Sequence, residues 1–183
     1  AANYAPKDAD IMFQSENGLV GVGPVAAPGE EDPDYVDAGS QKITLREGAS
    51  LVDSAMSFAM IRGGHIDVTM LGGFQVSSSG DLANWDAMIP NKGPLVEGAM
   101  DLAVGAKSGW VGMAHLTREG EPRVVEKCSY PETGIGVVEW VYTDHAVVQV
   151  TPDGFLVHEI IEGLSREGLQ GLTAAPLSFA PDC

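Results

Sequence analysis

The sequence is poor in basic residues and contains no long apolar run. Only 10 Lys and Arg residues stand against 26 Asp and Glu residues, which gives a formal net charge of −16 at pH 7. A chain this acidic repels phosphate backbones and anionic lipids, so the composition argues against binding to nucleic acid or to a membrane. No segment reaches the roughly 18 consecutive apolar residues of a membrane-spanning helix. The first residues also lack the basic and apolar stretches of a secretory signal peptide.

Cysteine is scarce as well, with Cys128 and Cys183 the only two in the chain. They form one disulfide at most, and their spacing is not that of a metal site. The four histidines lack the i, i+4 spacing of a metal-binding pair: His65, His115, His145 and His158. We therefore expect no bound metal, a buried Cys128 thiol within a strand, and a reduced, cytoplasmic protein.

The first half of the chain predicts a strand–helix–strand unit. Residues 24–41 are rich in Pro, Gly and acidic side chains, and are expected to form an exposed excursion between core elements. A strand at 43–45 is followed by a helix for which Ser50 is the expected N-cap, with Asp53 three residues on. The Gly63-Gly64 pair is expected to end that helix. The apolar positions of the helix share one face at helical spacing: Val52, Met56, Ala59 and Met60. A buried strand is predicted over 66–71.

The second half predicts mainly extended structure. A polar loop is expected over 74–86 and a short helix over 99–106. Alternating apolar residues then predict five strands, at 110–115, 123–127, 137–142, 146–150 and 155–158. A last helix is expected to begin near Ser165. With 183 residues, 44% of them hydrophobic, the chain is predicted to be one α/β domain over 1–183 with a mixed, mostly parallel sheet flanked by helices.

One short motif carries most of the chemical information. The apolar run Ile11-Met12-Phe13 leads directly to Gln14-Ser15-Glu16-Asn17-Gly18. Asn and Gly tolerate positive φ, so Asn17-Gly18 predicts a tight turn that places the Glu16 carboxylate at the end of a strand. Glycine recurs at Gly21 and Gly23, and backbone without side chains allows a ligand to approach closely. Taken alone, the motif favours a solvated Glu beside a tight turn over a functional carboxylate.

Further motifs follow in order along the chain. They are Ser15-Glu16-Asn17-Gly18, Gly21-Val22-Gly23-Pro24, Asp37-Ala38-Gly39, Ser57-Phe58-Ala59-Met60-Ile61-Arg62-Gly63-Gly64-His65, Gly80-Asp81-Leu82-Ala83-Asn84-Trp85, Gly98-Ala99-Met100-Asp101-Leu102, Tyr142-Thr143-Asp144 and Val150-Thr151-Pro152-Asp153-Gly154. This ordered set resembles the β subunit of class I coenzyme A-transferases of the 3-oxoacid type. The segments 28–32 and 128–134 and the tail 162–170 are most similar to the 3-oxoadipate (β-ketoadipate) branch.

The resemblance implies a CoA-transferase, with a ribose-phosphate-isomerase-like fold, that moves CoA from succinyl-CoA to a 3-oxoacid, 3-oxoadipate in that branch. Glu16 matches the family nucleophile, which carries CoA as a glutamyl thioester. Gly18 and Gly98 are expected to bind CoA, which is a co-substrate and not a permanently bound cofactor. Gly72, Gly73 and Gln75, at the end of a predicted strand, are expected to line the substrate cleft.

The resemblance also implies a separate α subunit, in a heterodimer or heterotetramer. Two departures from the family pattern stand out. The given sequence starts after the position of the glycine-rich N-terminal segment of family β subunits, so we expect either that the chain has been cut or that those residues come from elsewhere. Glu97 occupies a position that is usually glycine. The carboxylate of Glu97 is expected to obstruct the oxyanion pocket or repel CoA phosphates. Arg62 and Lys107 are the bases expected near CoA phosphates or a partner.

Three alternatives stay open at this point. The first is a succinyl-CoA:acetoacetate transferase, because those enzymes share most of the motifs. The second is a non-catalytic binding subunit that kept the fold, motivated by Glu97 and the late start. The third, a sugar-phosphate isomerase, would need an acid/base pair and phosphate contacts that the sequence does not offer.

Overall fold

The computed structural model describes residues 2–6, 9–37, 39–90, 93–95 and 98–183. The chain divides into two compact units, Ala1–Met60 and Ile61–Cys183, and the boundary falls inside helix α1 (Ser54–Arg62). The predicted α/β class with a mixed sheet is confirmed. Within the described ranges, no helix is both long and apolar enough to cross a membrane.

The first unit contains a small antiparallel sheet. Its strands are β1 (Gln14–Ser15), β2 (Leu19–Val25) and β3 (Ile43–Leu51), in the order β1-β2-β3. Leu19, Val22 and Ile43 are buried between the strands and form a core of their own. The predicted excursion lies between β2 and β3, and residues 27–34 within it are exposed. Pairing of Val25 with Ile43 brings the two ends of this excursion together.

The second unit is organised around a six-stranded mixed sheet. In spatial order its strands are β12 (Leu177–Phe179), β11 (Gly154–Ile160), β10 (Ala146–Thr151), β9 (Trp140–Tyr142), β7 (Ser108–Gly112) and β4 (Val68–Gly72). The pairings β4–β7, β7–β9 and β11–β12 are parallel, whereas β9–β10 and β10–β11 are antiparallel. A second, three-stranded sheet has the order β6 (Leu82–Ala83), β5 (Gln75–Ser77) and β8 (Val124–Val125). The helices are α2 (Ala99–Gly105) and α3 (Arg166–Gly171).

The core of this unit lies on one face of the large sheet. Alternate residues of its strands are buried there, among them Val111, Val141 and Val148, each at most 1% exposed. Leu82 and Val124 of the smaller sheet join the same cluster. Successive side chains of a strand point to opposite faces, so alternate burial is expected when one face of a sheet packs against other elements.

Helix α1 begins later than predicted. Ser50 lies in β3, paired with Val20, so it is not the N-cap. The carboxylate of Asp53 accepts a hydrogen bond from the Met56 amide at 2.8 Å, which makes Asp53 the capping residue instead. Met56 is 54% exposed, and the buried face of the helix is formed by Ser57 and Ile61. The end of the helix is as predicted, since Gly64 follows it with a φ of +73°.

Several strand predictions are corrected. The run at 11–13 precedes the first strand, which is limited to Gln14–Ser15. The strand predicted as buried over 66–71 is β4, and Met70 is 57% exposed because β4 lies at the edge of the sheet with one face uncovered by described residues. The polar loop predicted over 74–86 contains β5 and β6, which pair with each other, and β5 also pairs with β8, nearly fifty positions later. Cys128 lies outside the strands, because β8 ends at Val125.

The remaining elements follow the prediction with shifted ends. Strands β7, β8 and β9 are shortened or shifted by up to about three residues, whereas the ends of β10, β11 and α2 agree with the prediction to within about two. Ser165 caps α3, its hydroxyl accepting a hydrogen bond from the Gly168 amide at 3.0 Å.

Candidate active site

Glu16 occupies the turn between β1 and β2. The turn is closed by the Gly18 amide, which donates to the Ser15 carbonyl at 3.0 Å. Ser15 is only 7% exposed, and the Glu16 side chain is half-buried. The predicted arrangement, a strand that delivers Glu16 into a turn, is therefore present, with the strand starting at Gln14.

Gly18 is fixed by its surroundings as well as by the turn. Its φ is +111°, a value that residues with a Cβ rarely adopt. The Gly18 carbonyl accepts a hydrogen bond from the Val52 amide at 2.9 Å. A Cβ atom on Gly18 would lie 2.1 Å from the Val52 carbonyl oxygen. Glycine at this position is thus required by the packing of the turn, before any contact with a ligand is considered.

The residues on either side of Glu16 make further hydrogen bonds within the same unit. Gln14 donates through Nε2 to Ser57 Oγ at 2.6 Å, and Ser57 is fully buried in α1. Asn17 donates through Nδ2 to the Val36 carbonyl at 3.1 Å. By contrast, none of the described side chains or amides donates a hydrogen bond to the Glu16 carboxylate. A carboxylate held on a rigid turn without internal donors is free to act as a nucleophile or base.

In the second unit, the carboxyl ends of three parallel strands form a bare edge. Gly72 of β4 pairs with Gly112 of β7, and Gly112 pairs with Tyr142 of β9. Both glycines are exposed, and a Cβ on either would meet no atom within 4 Å. Ligands of α/β proteins bind preferentially at the carboxyl ends of parallel strands. Gly72 thus lies at an open strand end, and its contact with a substrate stays a prediction.

The other two predicted cleft residues have clear packing roles. A Cβ on Gly73 would lie 2.9 Å from Val111 Cγ1, so this glycine permits close packing against β7. The Gln75 side chain reaches a loop more than fifty positions along the chain, and its Oε1 accepts hydrogen bonds from the Ser129 amide at 2.8 Å and the Ser129 hydroxyl at 3.1 Å. Its amide oxygen is thus occupied within the protein.

The Asn84 side chain fixes the backbone at the same edge. Its Nδ2 donates to the Gly72 carbonyl at 3.0 Å, and its Oδ1 accepts a hydrogen bond from the Thr133 hydroxyl. Neither Asn84 nor Gly112 was singled out as a site residue from the sequence. Gly112 had a recognisable signal, because it follows an apolar pair as Gly72 does, but it fell inside a longer predicted strand.

Gly98 immediately precedes α2 and is half-buried. Its carbonyl accepts the first helical hydrogen bond, from the Leu102 amide at 3.1 Å. Its φ of −68° is open to any residue, so backbone conformation alone does not require glycine there. Glu97, the unusual neighbour expected from the sequence to obstruct the site, lies outside the described residues.

The two bases expected near phosphates are engaged in ion pairs. Arg62 Nε lies 2.7 Å from Asp101 Oδ1, and Lys107 Nζ lies 2.6 Å from Asp67 Oδ1. The hydrogen bond and charge of Asp101 raise the pKa of Arg62, and Lys107 lowers the pKa of Asp67 by the same two effects. These surface pairs neutralise positive charge that an anionic ligand would otherwise meet.

Asp81 is a buried titratable group of the second unit, and the neighbouring Cys128 is half-buried. Asp81 is 9% exposed, and its carboxylate accepts hydrogen bonds from the hydroxyls of Ser77 and Ser79 and from the Gly136 amide. Desolvation favours the neutral acid, but these donors together outweigh it and lower the pKa of Asp81. Burial, and to a smaller extent the neighbouring carboxylates of Asp81 and Glu132, raises the pKa of the Cys128 thiol to about 11. The thiol is therefore protonated at pH 7 and is not a nucleophile.

His115 is a second buried titratable group of this unit, at 1% exposure. Its ring nitrogens make hydrogen bonds with Thr143 Oγ1 at 3.0 Å and Thr173 Oγ1 at 2.9 Å. Burial, with the neighbouring His145, lowers the pKa of His115 to about 4, so the ring is neutral at pH 7. Across the described ranges, no group of three or more His, Cys, Asp or Glu side chains is arranged to hold a metal ion.

Comparison with known proteins places the chain in a family. The family model for coenzyme A transferase matches residues 1–170. The B subunit of the 3-oxoadipate CoA-transferase of Acinetobacter baylyi is 49% identical over 176 residues, which cover 96% of this chain and 81% of that protein. The B subunit of the succinyl-CoA:3-ketoacid coenzyme A transferase of Helicobacter pylori is 48% identical over 169 residues, covering 91% of this chain and 80% of that protein.

Solved structures support the same fold at low sequence identity. The acyl-CoA transferase of Escherichia coli aligns with a TM-score of 0.71 at 15% identity, over 94% of this chain and 34% of that one. Glutaconate coenzyme A-transferase of Acidaminococcus fermentans aligns with a TM-score of 0.63 at 16% identity, over 89% of this chain and 68% of that one.

The chain belongs to the coenzyme A transferase family. The predicted resemblance to the β subunits of this family, and the enzyme class that it implies, are confirmed.

Proposed function

We propose that this chain carries the nucleophile of a CoA-transferase that moves CoA from succinyl-CoA to a 3-oxoacid, and that the nucleophile is Glu16. The observation that carries the proposal is the state of Glu16 itself: a half-buried carboxylate on a fixed turn, to which no described group of the protein donates a hydrogen bond. The names of the related enzymes, 3-oxoadipate CoA-transferase and succinyl-CoA:3-ketoacid coenzyme A transferase, support the substrate class.

The reaction follows from the chemistry of a carboxylate nucleophile. A Glu16 oxygen attacks the thioester carbon, the C–S bond breaks, and CoA leaves as a thiolate, which gives a mixed anhydride. The thiolate then attacks the glutamyl carbonyl carbon and releases the donor acid as a carboxylate, so CoA is held as a thioester on Glu16. The acceptor carboxylate attacks this thioester and the two steps run in reverse. No water is consumed and no redox change occurs.

Each step passes through an oxyanion, and backbone amides without side chains are suitable donors to it. One such donor is typically worth about 3 kcal/mol. We assign Gly98 to CoA binding and Gly72 to the wall of the substrate cleft, supported by the exposure of Gly72 at a strand end. For Gly18, Gly73 and Gln75 the packing described above accounts for the residue type, and their direct contact with CoA or substrate stays a prediction.

We propose that a separate α subunit completes the enzyme and that residues 1–183 act as one β-subunit domain. The related proteins are each named as one subunit of an enzyme. The net charge of −16 and the ion pairing of Arg62 and Lys107 support a partner that supplies positive charge for the CoA phosphates. CoA is then a co-substrate and no permanently bound cofactor is required.

The acceptor is proposed to be 3-oxoadipate. Identities of 49% to the 3-oxoadipate enzyme of Acinetobacter baylyi and 48% to the succinyl-CoA:3-ketoacid enzyme of Helicobacter pylori are nearly equal. Acetoacetate is therefore the alternative acceptor, and parallel assays with both acids decide between them. Both cysteines are free thiols, which is compatible with the predicted cytoplasmic setting.

Trapping the intermediate tests the proposal directly. The full chain, purified with a co-expressed α subunit, is incubated with succinyl-CoA and then borohydride, which reduces a glutamyl thioester to an alcohol. The expected result is a mass change on Glu16 equal to the exchange of one oxygen for two hydrogens. Glu16→Gln should abolish both this change and CoA transfer, whereas Glu47→Gln, at an exposed carboxylate of β3, should leave both intact.

The opposite result is equally informative. If Glu16 stays unmodified while CoA still binds, the chain is a binding subunit and its assignment as the nucleophile-bearing subunit is wrong.

A further inference from the structure

Glu16 is flanked on both sides by contacts to one short segment, residues 52–57. On the C-terminal side of the turn, the Gly18 carbonyl accepts from the Val52 amide at 2.9 Å. On the N-terminal side, Gln14 Nε2 donates to Ser57 Oγ at 2.6 Å. The five-residue stretch 14–18 is therefore fixed at both ends against the same piece of chain, and Glu16 lies at its centre.

The two contacts differ in how they depend on sequence. The Val52 contact joins main-chain atoms, so any residue can provide it. The contact between Gln14 and Ser57 joins two side chains that are 43 positions apart, so it exists only because of these residue types. A polar side chain buried as completely as Ser57 loses its water, and an unmatched hydroxyl there would cost stability. The Gln14 amide is the described side chain that meets this need.

Strand β1 is too short to hold Glu16 by itself. It consists of Gln14 and Ser15, paired with Val20 and Leu19 of the adjacent strand. These two residue pairs and the Val52 contact fix the direction of the strand and the far end of the turn, but among the described residues no main-chain hydrogen bond joins the Gln14 end to helix α1. The side-chain contact from Gln14 to Ser57 makes that connection, two residues before Glu16.

We infer that Gln14 and Ser57 are positioning residues, which hold the Glu16 carboxylate in the geometry for attack on the thioester without touching the substrate. This inference rests on the proposed role of Glu16. Displacement of a nucleophile by about 1 Å can reduce a rate by about 100-fold. Loss of the contact should therefore slow formation of the glutamyl–CoA thioester while leaving the affinity for acyl-CoA close to normal.

The test is a double-mutant cycle read by single-turnover kinetics. Gln14→Leu, Ser57→Ala and the double variant are prepared as full chains with the α subunit. The rate of thioester formation on Glu16 is followed with succinyl-CoA and borohydride trapping. Each single variant should lower this rate at least about tenfold, with KM for succinyl-CoA changed less than about twofold. The double variant should be no slower than the slower single variant, because both remove the same contact.

Matched controls separate positioning from general destabilisation. Ser54→Ala removes an exposed hydroxyl from the same helix, and Gln41→Leu removes an exposed amide from the same unit. Both should react at the normal rate. Ser57→Thr keeps the acceptor oxygen and should retain most of the activity. If the buried Ser57 variants do not fold, the Gln14→Leu variant decides, since Gln14 is only half-buried.

The outcomes are distinguishable from failure of the proposed function. If the normal chain forms no thioester on Glu16, the proposed function is wrong and the positioning inference falls with it. If the normal chain reacts and Gln14→Leu reacts equally fast, only the positioning inference is wrong. A loss of activity that follows the fraction of unfolded protein, or an additive double variant, also overturns it.

Discussion

The carbonyl oxygen of Val52 lies 2.1 Å from the position that a Cβ atom would take on Gly18. Neither atom belongs to a flexible side chain, so the conflict can be relieved only by a backbone movement. That movement would displace the turn that carries Glu16. A side chain at Gly18 would therefore disturb both the local backbone and the position of Glu16.

Gly18→Ala should destabilise the protein by about 3 kcal/mol or more, because left-handed backbone strain and the backbone overlap add together. Gly29→Ala is the matched comparison, since Gly29 also has a positive φ, +88°, but a Cβ at that position would meet no atom within 4 Å. That change should cost about 1–2 kcal/mol. Urea unfolding of the two variants measures the difference, and equal losses would show that the overlap with Val52 is relieved at no cost.

Gly72 and Gly73 should respond differently to the same substitution. Gly73→Val places atoms against Val111 and should cost about 1–3 kcal/mol of stability through overpacking. Gly72→Val meets open space and should fold normally. If Gly72 borders the substrate cleft, the second variant should instead raise KM for the acceptor acid. Thermal unfolding and steady-state kinetics on both variants check this, and a normal KM for Gly72→Val would remove Gly72 from the site.

Stability should fall between about pH 6.5 and about pH 4 because of His115. Burial, and to a smaller extent the nearby His145, lowers the pKa of His115 to about 4 in the folded protein. The unfolded chain therefore binds the proton first as pH falls, and the free energy of unfolding decreases by at most about 1.4 kcal/mol per pH unit. Above the unfolded pKa the ring is neutral in both states, and the effect vanishes.

Urea unfolding across this range should give a smaller pH slope for His115→Gln, which cannot be protonated. His65→Gln, at an exposed histidine, should keep the slope of the unmodified protein. Identical slopes for all three proteins would mean that His115 is protonated without penalty in the fold.

Asp81 should change stability in the same direction as His115, because its pKa is also lowered in the folded state. Its pKa is lowered in the folded state because donors from Ser77, Ser79 and Gly136 outweigh its desolvation. Its contribution to stability is therefore complete above the ordinary carboxyl pKa and is lost as pH falls through the lowered one. Asp81→Ala leaves these donors unmatched and should cost about 2–3 kcal/mol near pH 7.

The control for this change is Asp67→Ala at an exposed ion pair, which should alter stability little. Chemical denaturation at neutral pH compares them. A loss at Asp81 no larger than that at Asp67 would mean that water replaces the missing carboxylate.

The sequence predicted local features better than long-range ones. The turn at Glu16, the end of α1 near Gly64 and the cap at Ser165 depend on residues within a few positions of each other, and all three are present. Ser50 failed as a cap because pairing with Val20, thirty positions earlier, keeps it in β3. Tertiary pairing thus overrode a sound local signal.

Long-range contacts explain the other differences. The serine-rich stretch after Gly73 contains a strand, since Val76 pairs with Val124 nearly fifty positions later. The contact between Gln14 and Ser57 joins two separate motifs, and neither motif alone indicates it. Conversely, the sequence predicted the family and a candidate nucleophile because both depend on the order of short motifs along the chain. That order does not depend on how the surrounding residues pack.

At the paired glycines Gly72 and Gly112, a substitution adds atoms where mutagenesis usually removes them. Alanine scanning deletes atoms and reports what a side chain contributed. At this edge of the sheet two neighbouring strands have no side chain to delete. The same scan would add a methyl group to each glycine and would test whether the empty space beside them is needed for activity. A scan confined to the residues that bear functional groups would pass over this part of the molecule altogether.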